Sequence, residues 1–374
     1  MDACLNRTQP ILLYGAGNFG RKVAVSLAAM GYTVSGFIDQ SPGVAEWMGL
    51  PIHSWEAAVS LGVLAETQVL CTVFNRLHAY QALYETAMAH GCSDLLMPWH
   101  YYPMMAGSLG WQYWLAEEPL QVGNETVLDA RVSRLTAMLA DDESKTILSR
   151  TLAFRGGKDL AYSTYVSSEP QYFNQLTLCA DRLPDQLVYL DVGAYDGDSL
   201  MELSGLANLK RAILFEPSHL NADRLRLRTM DWLAWNPGVE LEILPMALGN
   251  HHGLMALQGE GEAAAVVADL AEDEVLDSAA ILVARADDLY PSLTVDFVKI
   301  DAEGSDLGCI HGMANLLRRS RPVVAISVYH RTEDLLEIPL AMYSLYGGNC
   351  DYYLRQHYCN SFDCVLYVVP WALG

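Results

Sequence analysis

The chain has 374 residues, of which 52% are hydrophobic and 18% charged, so it can build two cores of ordinary domain size and does not have a disordered composition. The formal net charge of −22 would repel phosphate backbones and anionic lipid surfaces, which argues against nucleic acid or a membrane as a partner. No signal-peptide pattern and no run of eighteen apolar residues occurs, and eight cysteines without regular spacing fit reduced thiols, so we expect a cytoplasmic location.

Residues 1–98 are predicted to form a first Rossmann-like domain. An apolar strand over 10–14 leads into a complete Gly-x-Gly-x-x-Gly turn, followed by a helical pattern over 21–30 and a second strand over 33–38. Asp39 ends that strand, nineteen residues after Gly20. In this order the turn offers backbone N–H groups to phosphates and the acid accepts ribose hydroxyls. The residues predicted to bind a nucleotide are Gly15, Gly17, Asn18, Phe19, Gly20 and Asp39.

The rest of this domain weakens a dehydrogenase assignment. It contains about four strand–helix units, which leaves no room for a separate catalytic domain of a dehydrogenase. The pattern resembles the small N-terminal domains of sugar acetyltransferases, which hold a nucleotide-sugar. A nucleotide or nucleotide-sugar is therefore one expectation. The alternative is a unit without a ligand that serves packing or formation of a homodimer.

Residues 99–184 are predicted to form an aromatic-rich helical connector between two α/β domains. Six aromatic residues lie between 99 and 114, and we interpret them as an interdomain packing surface, with a substrate-stacking wall as the alternative. Apolar residues at helical spacing over 127–139 predict one helix, and a second is expected before Gly156 and Gly157. This stretch shows no pattern that indicates chemistry.

Residues 185–374 repeat the strand–turn–helix pattern with a different charge. A buried strand over 188–192 ends in a turn punctuated by Gly193 and Gly197, and a second strand ends in Glu216, nineteen residues after Gly197. Glu216 is placed to accept both hydroxyls of a ribose. Asp191 would repel a pyrophosphate beside the turn, but it suits a cationic ligand such as the sulfonium and amino group of S-adenosylmethionine.

Four sequence blocks in register resemble the FkbM family of S-adenosylmethionine-dependent methyltransferases. They are the Asp-Val-Gly-Ala turn over 191–199, Phe-Glu-Pro over 215–217, Ala-Leu-Gly over 247–249 and Lys-Ile-Asp-Ala-Glu-Gly over 299–304. The resemblance implies a Class I methyltransferase fold that transfers a methyl group to a hydroxyl of a sugar or secondary metabolite. It also implies the residues that bind S-adenosylmethionine, which are Asp191, Gly193, Ala194, Tyr195, Asp196, Gly197, Ser199, Glu216, Ala247 and Leu248.

The sequence departs from the family pattern at three positions. Ser305 and Asp306 stand where a small or aromatic residue and Glu are usual, Ser327 replaces an acidic residue of many members, and Tyr195 replaces a common Asn. The first two bear on the side of the site that receives the acceptor. Residues 258–280 lack a clear period, and we expect a mobile insert over the site.

Three residues at the ends of adjacent predicted strands are candidates for the base that removes the acceptor's proton: Asp301, Glu303 and His330. Asp301 could instead hold the cofactor, and His330 could be a solvent-exposed loop histidine. Asp287 and Asp288 could hold Mg²⁺, as in some sugar O-methyltransferases, although no metal site is predicted.

The fold expected overall is α/β, with two Rossmann-like doubly wound domains joined by the helical connector. The expected partner is a small-molecule acceptor, a sugar or glycosylated metabolite. Two other functions remain open: a nucleotide-dependent oxidoreductase or nucleotide-sugar enzyme that uses the first domain, and a non-catalytic protein that binds S-adenosylmethionine.

Overall fold

The computed structural model describes residues 5–115, 126–178, 183–258, 265–269 and 280–371. The strands are β1 (Ile11–Tyr14), β2 (Val34–Ile38), β3 (Glu46–Trp47), β4 (Leu50–His53), β5 (Gln68–Cys71), β6 (Leu95–Leu96), β7 (Leu187–Val192), β8 (Leu209–Phe215), β9 (Glu240–Leu244), β10 (Ala247–Leu248), β11 (Gly253–Gln258), β12 (Ala265–Asp269), β13 (Ala280–Ala284), β14 (Phe297–Ile300), β15 (Val323–Ser327), β16 (Cys350–Gln356) and β17 (Cys364–Pro370).

The α-helices alternate with most of these strands. They are α1 (Asn18–Ala29), α2 (Trp55–Ser60), α3 (Tyr80–Ala89), α4 (Pro98–Tyr101), α5 (Ala106–Leu109), α6 (Thr126–Met138), α7 (Asp142–Arg155), α8 (Asp198–Ser204), α9 (His219–Trp235), α10 (Ala286–Leu289), α11 (Asp306–Gly312), α12 (Ala314–Ser320) and α13 (Asp334–Tyr346). Short 3-10 helices lie at Val63–Glu66, Tyr102–Met104 and Leu160–Thr164.

Contacts divide the chain into two compact units. The first comprises Met1–Glu125, Ser149–Val166 and Tyr358–Phe362, and the second comprises Thr126–Leu148, Ser167–His357 and Asp363–Gly374. The predicted boundaries of 1–98, 99–184 and 185–374 differ from this division, because the stretch predicted as a connector is shared between the two units. Tyr101, Tyr102 and Trp114 are buried with the core residues of the first unit, so they serve packing within that unit.

The first unit contains a six-stranded sheet in the order β3-β4-β2-β1-β5-β6. All of its pairs are parallel except β3 with β4. Strand β1 is fully buried, as its unbroken apolar sequence predicts for a strand covered on both faces. The strand order reverses between β1 and β5, the position where doubly wound sheets open a crevice for a ligand.

The second unit contains a seven-stranded sheet in the order β16-β17-β15-β14-β7-β8-β9. Five strands are parallel, and the C-terminal β17 pairs antiparallel with both β15 and β16. Here the order reverses between β7 and β14. A separate four-stranded sheet in the order β10-β13-β11-β12 includes the Ala247–Leu248 segment. The predicted α/β class is confirmed, and each unit contains a largely parallel sheet in which the strand order reverses.

The predicted mobile insert over 258–280 lies largely outside the described residues. Within the described ranges, no helix combines the length and the apolar composition that a membrane crossing requires.

Candidate active site of the second unit

The turn after β7 meets the end of β14 at the point of strand reversal. Gly193 has a φ of +78° and an added Cβ there would overlap the carbonyl oxygen of Asp301. Glycine is therefore required both by the backbone conformation and by this close approach. The amide of Asp301 donates to the carbonyl of Val192 at 2.9 Å, which continues the strand pairing to the edge of the sheet. The first glycine of the turn and the predicted acid are neighbours.

Glu216 holds the turn after β7 to the end of β8. Its carboxylate accepts hydrogen bonds from the amides of Tyr195 at 2.8 Å and Ser218 at 2.9 Å. Burial raises the pKa of Glu216, and these two N–H groups act in the opposite direction by stabilising the charged form. The two hydrogen bonds fix the side chain. Because each carboxylate oxygen can accept more than one hydrogen bond, it retains capacity for ribose hydroxyls.

Asp191 is fully buried and has a cationic partner that the sequence analysis did not assign to it. Lys299, its direct neighbour on β14, places its ammonium nitrogen 3.2 Å from the carboxylate and donates to the carbonyl of Gly193 at 2.6 Å. Burial raises the pKa of Asp191 to about 6, against the opposing effect of Lys299. The pair therefore ties the first glycine of the turn to the centre of the sheet.

Asp301 accepts a hydrogen bond at 2.8 Å from the hydroxyl of Tyr172, whose own pKa burial raises well above the usual tyrosine range. Its second oxygen lies 3.2 Å from Nε2 of His330. Burial acts to raise the pKa of Asp301, but His330, Lys299 and Tyr172 together hold it well below its ordinary value. Asp301 is therefore a carboxylate that releases its proton readily and regains one poorly.

His330 is completely buried, so the alternative of a solvent-exposed loop histidine is wrong. Its Nδ1 lies 2.8 Å from Oδ2 of Asp306, which also accepts from the amide of Gly304, while Oδ1 of Asp306 accepts from the amide of Ala302. Burial lowers the pKa of His330, but Asp306, Glu303 and Asp301 outweigh it and raise the pKa well above the ordinary value. A raised pKa favours the imidazolium form, whereas a base would need the neutral imidazole.

Glu303 has a backbone φ of +46°, an uncommon conformation for a residue with a side chain. Burial raises its pKa, His330 opposes this, and the carboxylates of Asp301 and Asp306 raise it further. The side chain is 18% exposed, and its Oε2 makes no hydrogen bond to any described residue. Glu303 thus has a carboxylate oxygen without a hydrogen-bond partner among the described residues and a pKa raised above the ordinary glutamate value.

The remaining predicted residues lie on elements around this edge of the sheet. Ala247 and Leu248 form β10, and both are buried. Ser199 is buried in the first turn of α8, and Gly197 precedes that helix with a φ of +87°. Asp196 pairs with Arg228 at 2.7 Å, whereas Ala194 is a buried core residue. Five of the six predicted residues of the first unit line a different cavity.

At Asp287 and Asp288, where Mg²⁺ was an alternative, both carboxylates have partners within the protein. Both carboxylate oxygens of Asp287 accept backbone N–H groups at the start of α12, at 2.9 and 2.8 Å, and Asp288 pairs with His252 and Arg285. Among the described residues, ligand atoms of Asp301, Asp306 and His330 do lie within 4.8 Å of one another. Direct hydrogen bonding and ion pairing explain that proximity without an ion.

Three residues of this arrangement were given no role by sequence reasoning: Lys299, Tyr172 and Asp306. Tyr172 belongs to the stretch in which no chemistry was recognised, and nothing in its local sequence indicates that its hydroxyl reaches Asp301. Asp306 was noted as a departure from the family pattern but was not given a role. Its position three residues after Glu303, at the start of α11, was the available signal.

Comparisons with known proteins agree with this geometry. Residues 191–353 match the model of the Methyltransferase FkbM domain. The fold resembles the crystal structure of Methyltransferase FkbM from Methylobacillus flagellatus KT, with a TM-score of 0.68 and 20% identity over 96% of this chain and 90% of that chain. An rRNA methylase from Streptococcus thermophilus gives a TM-score of 0.34 and 13% identity over 51% of this chain and 91% of its own. No curated protein matches the sequence.

The family match, together with the order of the seven strands, the glycine turn and the acid at the end of β8, indicates the class of S-adenosylmethionine-dependent methyltransferases. S-adenosylmethionine is the methyl donor of this class. The match of residues 191–353 to the FkbM domain model confirms the resemblance predicted from the four sequence blocks.

Proposed function

We propose that the chain transfers a methyl group from S-adenosylmethionine to a hydroxyl oxygen of a small molecule, a sugar or a sugar-bearing precursor. The observation that carries this proposal is the Glu303 side chain in the segment after β14, a carboxyl that has a raised pKa and an Oε2 without a hydrogen bond to any described residue. An alcohol must lose its proton when it attacks, and a base whose pKa lies near the working pH does this best. The FkbM resemblance supplies the acceptor class.

The bound methyl donor supplies an electrophilic methyl group on a positively charged sulfur. In this proposal the carboxylate of Glu216 accepts the ribose hydroxyls, and Ala247 and Leu248 line the side of the adenine. Four acidic side chains, Asp191, Asp301, Glu303 and Asp306, form ion pairs with two cationic residues, Lys299 and His330. This formal excess of negative charge favours a cationic ligand over a pyrophosphate.

The three candidate bases take different roles in the proposed reaction. Glu303 accepts the acceptor's proton. Asp301 stays ionised and orients His330, while the imidazolium of His330 keeps the pKa of Glu303 from rising further. Asp301 is the weaker choice as the base, because its lowered pKa gives little driving force for taking up a proton and one of its oxygens already accepts from Tyr172.

The experiment that tests the proposal is a methyl-transfer screen with the full-length chain. S-adenosylmethionine would be incubated with simple glycosides, nucleotide-sugars and glycosylated phenols, and both S-adenosylhomocysteine and methylated product would be measured by mass spectrometry. An O-methyl ether in a product, formed by the wild type and lost in Glu303→Gln, is the expected result. Methylation only of nitrogen or carbon would reject the hydroxyl acceptor, and S-adenosylhomocysteine binding without turnover on any acceptor would favour the non-catalytic alternative.

A further inference from the structure

A cavity of about 380 Å³ lies in the first unit, at the carboxyl ends of the strands where the strand order reverses. Five of the six predicted nucleotide-binding residues line it: Gly15, Gly17, Asn18, Phe19 and Asp39. Segments after β1, β2 and β5 contribute to its wall. Its volume falls within the range of small-molecule sites, and it is independent of the methyltransferase site because it is built wholly from the first unit.

The folded backbone requires a glycine at two of the three glycine positions of the turn but not at the third. An added Cβ at Gly20 would overlap the carbonyl oxygen of Gly15, and Gly15 itself has a φ of +118°, so the fold needs both. Gly17 has an ordinary φ of −72°, and a Cβ there would meet no atom within 4 Å. The fold therefore tolerates a side chain at Gly17, yet that side chain would occupy the cavity. A ligand that approaches the backbone closely would explain the glycine.

The start of α1 presents donors to the same cavity. The first helical hydrogen bond runs from the amide of Arg21 to the carbonyl of Gly17, so the amides of Asn18, Phe19 and Gly20 precede the helical ladder. No described side chain caps this end, and its first turn contains no acidic residue. A twelve-residue helix with such an N-terminus favours an anion by its dipole and its N–H groups.

The corresponding positions of the second unit show the opposite preference. Two residues before the first glycine, the first unit has the apolar Leu13 and the second has Asp191. The second unit also begins its helix with Asp198, whereas α1 begins with Asn18. The two turns share a topology but differ in charge, so an anionic group that the second turn would repel is acceptable at the first.

Asp39 supplies a hydrogen-bond acceptor beside this anion site. One oxygen of its carboxylate accepts from the amide of Ala16 at 3.0 Å and the other from the amide of Ser41 at 3.0 Å. These bonds fix the carboxylate next to the glycine turn and leave each oxygen with acceptor capacity. A ribose with a 5′-phosphate group needs a hydrogen-bond acceptor for its two hydroxyls and a helix N-terminus for its phosphate. Asp39 and the start of α1 provide this combination.

We propose that the first unit binds a nucleoside 5′-diphosphate group, with the diphosphate at the start of α1 and the ribose hydroxyls at Asp39. A free dinucleotide and a nucleotide-sugar both carry this group, and the cavity fits what they share. The chain would thus bind a second ligand in addition to the methyl donor of the second unit.

The test is calorimetric titration of the full-length chain with ADP, UDP, NAD⁺ and UDP-glucose, with S-adenosylhomocysteine titrated in parallel. Binding of at least one of the four is expected, and Gly17→Val should weaken it by about tenfold or more. Gly43→Val is the matched control, because Gly43 also has open space around its Cβ but does not line the cavity. That variant should bind like the wild type, and both should keep the wild-type affinity for S-adenosylhomocysteine.

The four titrated compounds distinguish a dinucleotide from a nucleotide-sugar as the ligand. Binding of NAD⁺ with ADP identifies a dinucleotide, and binding of UDP-glucose with UDP identifies a nucleotide-sugar. A ligand-side probe covers the case in which Gly17→Val fails to fold: the 2′-deoxy form of the bound diphosphate should bind roughly fivefold or more weakly, since it lacks one hydroxyl for Asp39. The proposal is overturned if all four compounds fail to bind at millimolar concentration while S-adenosylhomocysteine binds. It is equally overturned if a folded Gly17→Val variant keeps wild-type affinity for the diphosphates.

Discussion

The surroundings of the ionisable side chains after β14 and β15 shift their pKa values in different directions. Asp301 is stabilised as a carboxylate by Tyr172 and His330, whereas Glu303 is buried among other acids and favours the neutral form. The sequence supplied Asp301, Glu303 and His330 as candidates, because residues at the ends of adjacent parallel strands converge. It could not rank them, because the ranking depends on Tyr172 and on the buried Asp306, which only the folded chain brings into contact.

The first prediction concerns Glu303→Gln, which preserves the size of the side chain and removes its ability to accept a proton. Single-turnover methyl transfer at saturating S-adenosylmethionine should slow by about 10²–10⁴-fold, the range for loss of a general base. Affinity for S-adenosylhomocysteine should stay close to that of the wild type. Asp301→Asn is the comparison variant. If it slows the chemical step more than Glu303→Gln does, Asp301 is the base and the assignment to Glu303 is wrong.

The second prediction concerns the pH dependence of the same step. A base must be deprotonated, so the wild-type rate should rise with pH through the pKa of Glu303, which lies above the ordinary glutamate value. His330→Gln removes the cation that lowers this pKa, and the rising limb should therefore shift to higher pH. The pH–rate profiles of the two proteins measure the shift. A limb that stays in place would show that His330 carries no charge felt by Glu303.

At the scale of elements, the predicted strands and turns agree well with the folded chain. Buried apolar runs followed by glycine turns identify β1, β7, β8 and β14, since a strand covered on both faces leaves an unbroken apolar signature. The separate sheet formed by β10 to β13 was not predicted, because part of it falls within residues 258–280, where the sequence shows no clear period. The stretch predicted as a helical connector is divided between the two units, and burial of its aromatic residues depends on partners that local sequence does not reveal.

The third prediction follows from the close approach of the turn after β7 to β14. Gly193→Ala should weaken S-adenosylhomocysteine binding and lower the melting temperature, because the new Cβ would overlap the Asp301 carbonyl oxygen at a φ of +78°. Gly308→Ala is the matched control within α11: its Cβ position is open and an alanine favours a helix by roughly 0.5–1 kcal/mol. Equal melting temperatures and affinities for the two variants would contradict the role given to the turn.

At the scale of the whole molecule, two Rossmann-like sheets occur in one chain with glycine turns of different electrostatic character. Composition correctly indicated two cores, and periodicity located both turns. Neither composition nor periodicity located the more distant chain segments that complete the first unit, Ser149–Val166 and Tyr358–Phe362. Such assignments depend on long-range packing, which leaves no periodic signal in the segments themselves.

The fourth prediction concerns folding stability, to which the buried His330 contributes through its raised pKa. A raised pKa in the folded state stabilises the fold fully below the unfolded histidine value of about 6.5, and this contribution is lost as pH rises through the folded value. The difference in unfolding free energy between wild type and His330→Gln should therefore be largest near pH 6 and shrink at higher pH. Urea titrations of both proteins across that range provide the measurement. A difference that grows with pH would mean that His330 is neutral in the folded chain.

The most direct measurement of the central claim is calorimetric titration of the full-length wild type and Glu216→Ala with S-adenosylhomocysteine. The wild type should bind at one site, and Glu216→Ala should bind more weakly by roughly 1.5–3 kcal/mol, the range for hydrogen bonds to a charged group. Thermal denaturation of the variant would establish that it is folded. A wild type that does not bind S-adenosylhomocysteine, or a folded Glu216→Ala variant with unchanged affinity, would contradict the site described at the ends of β7 and β8.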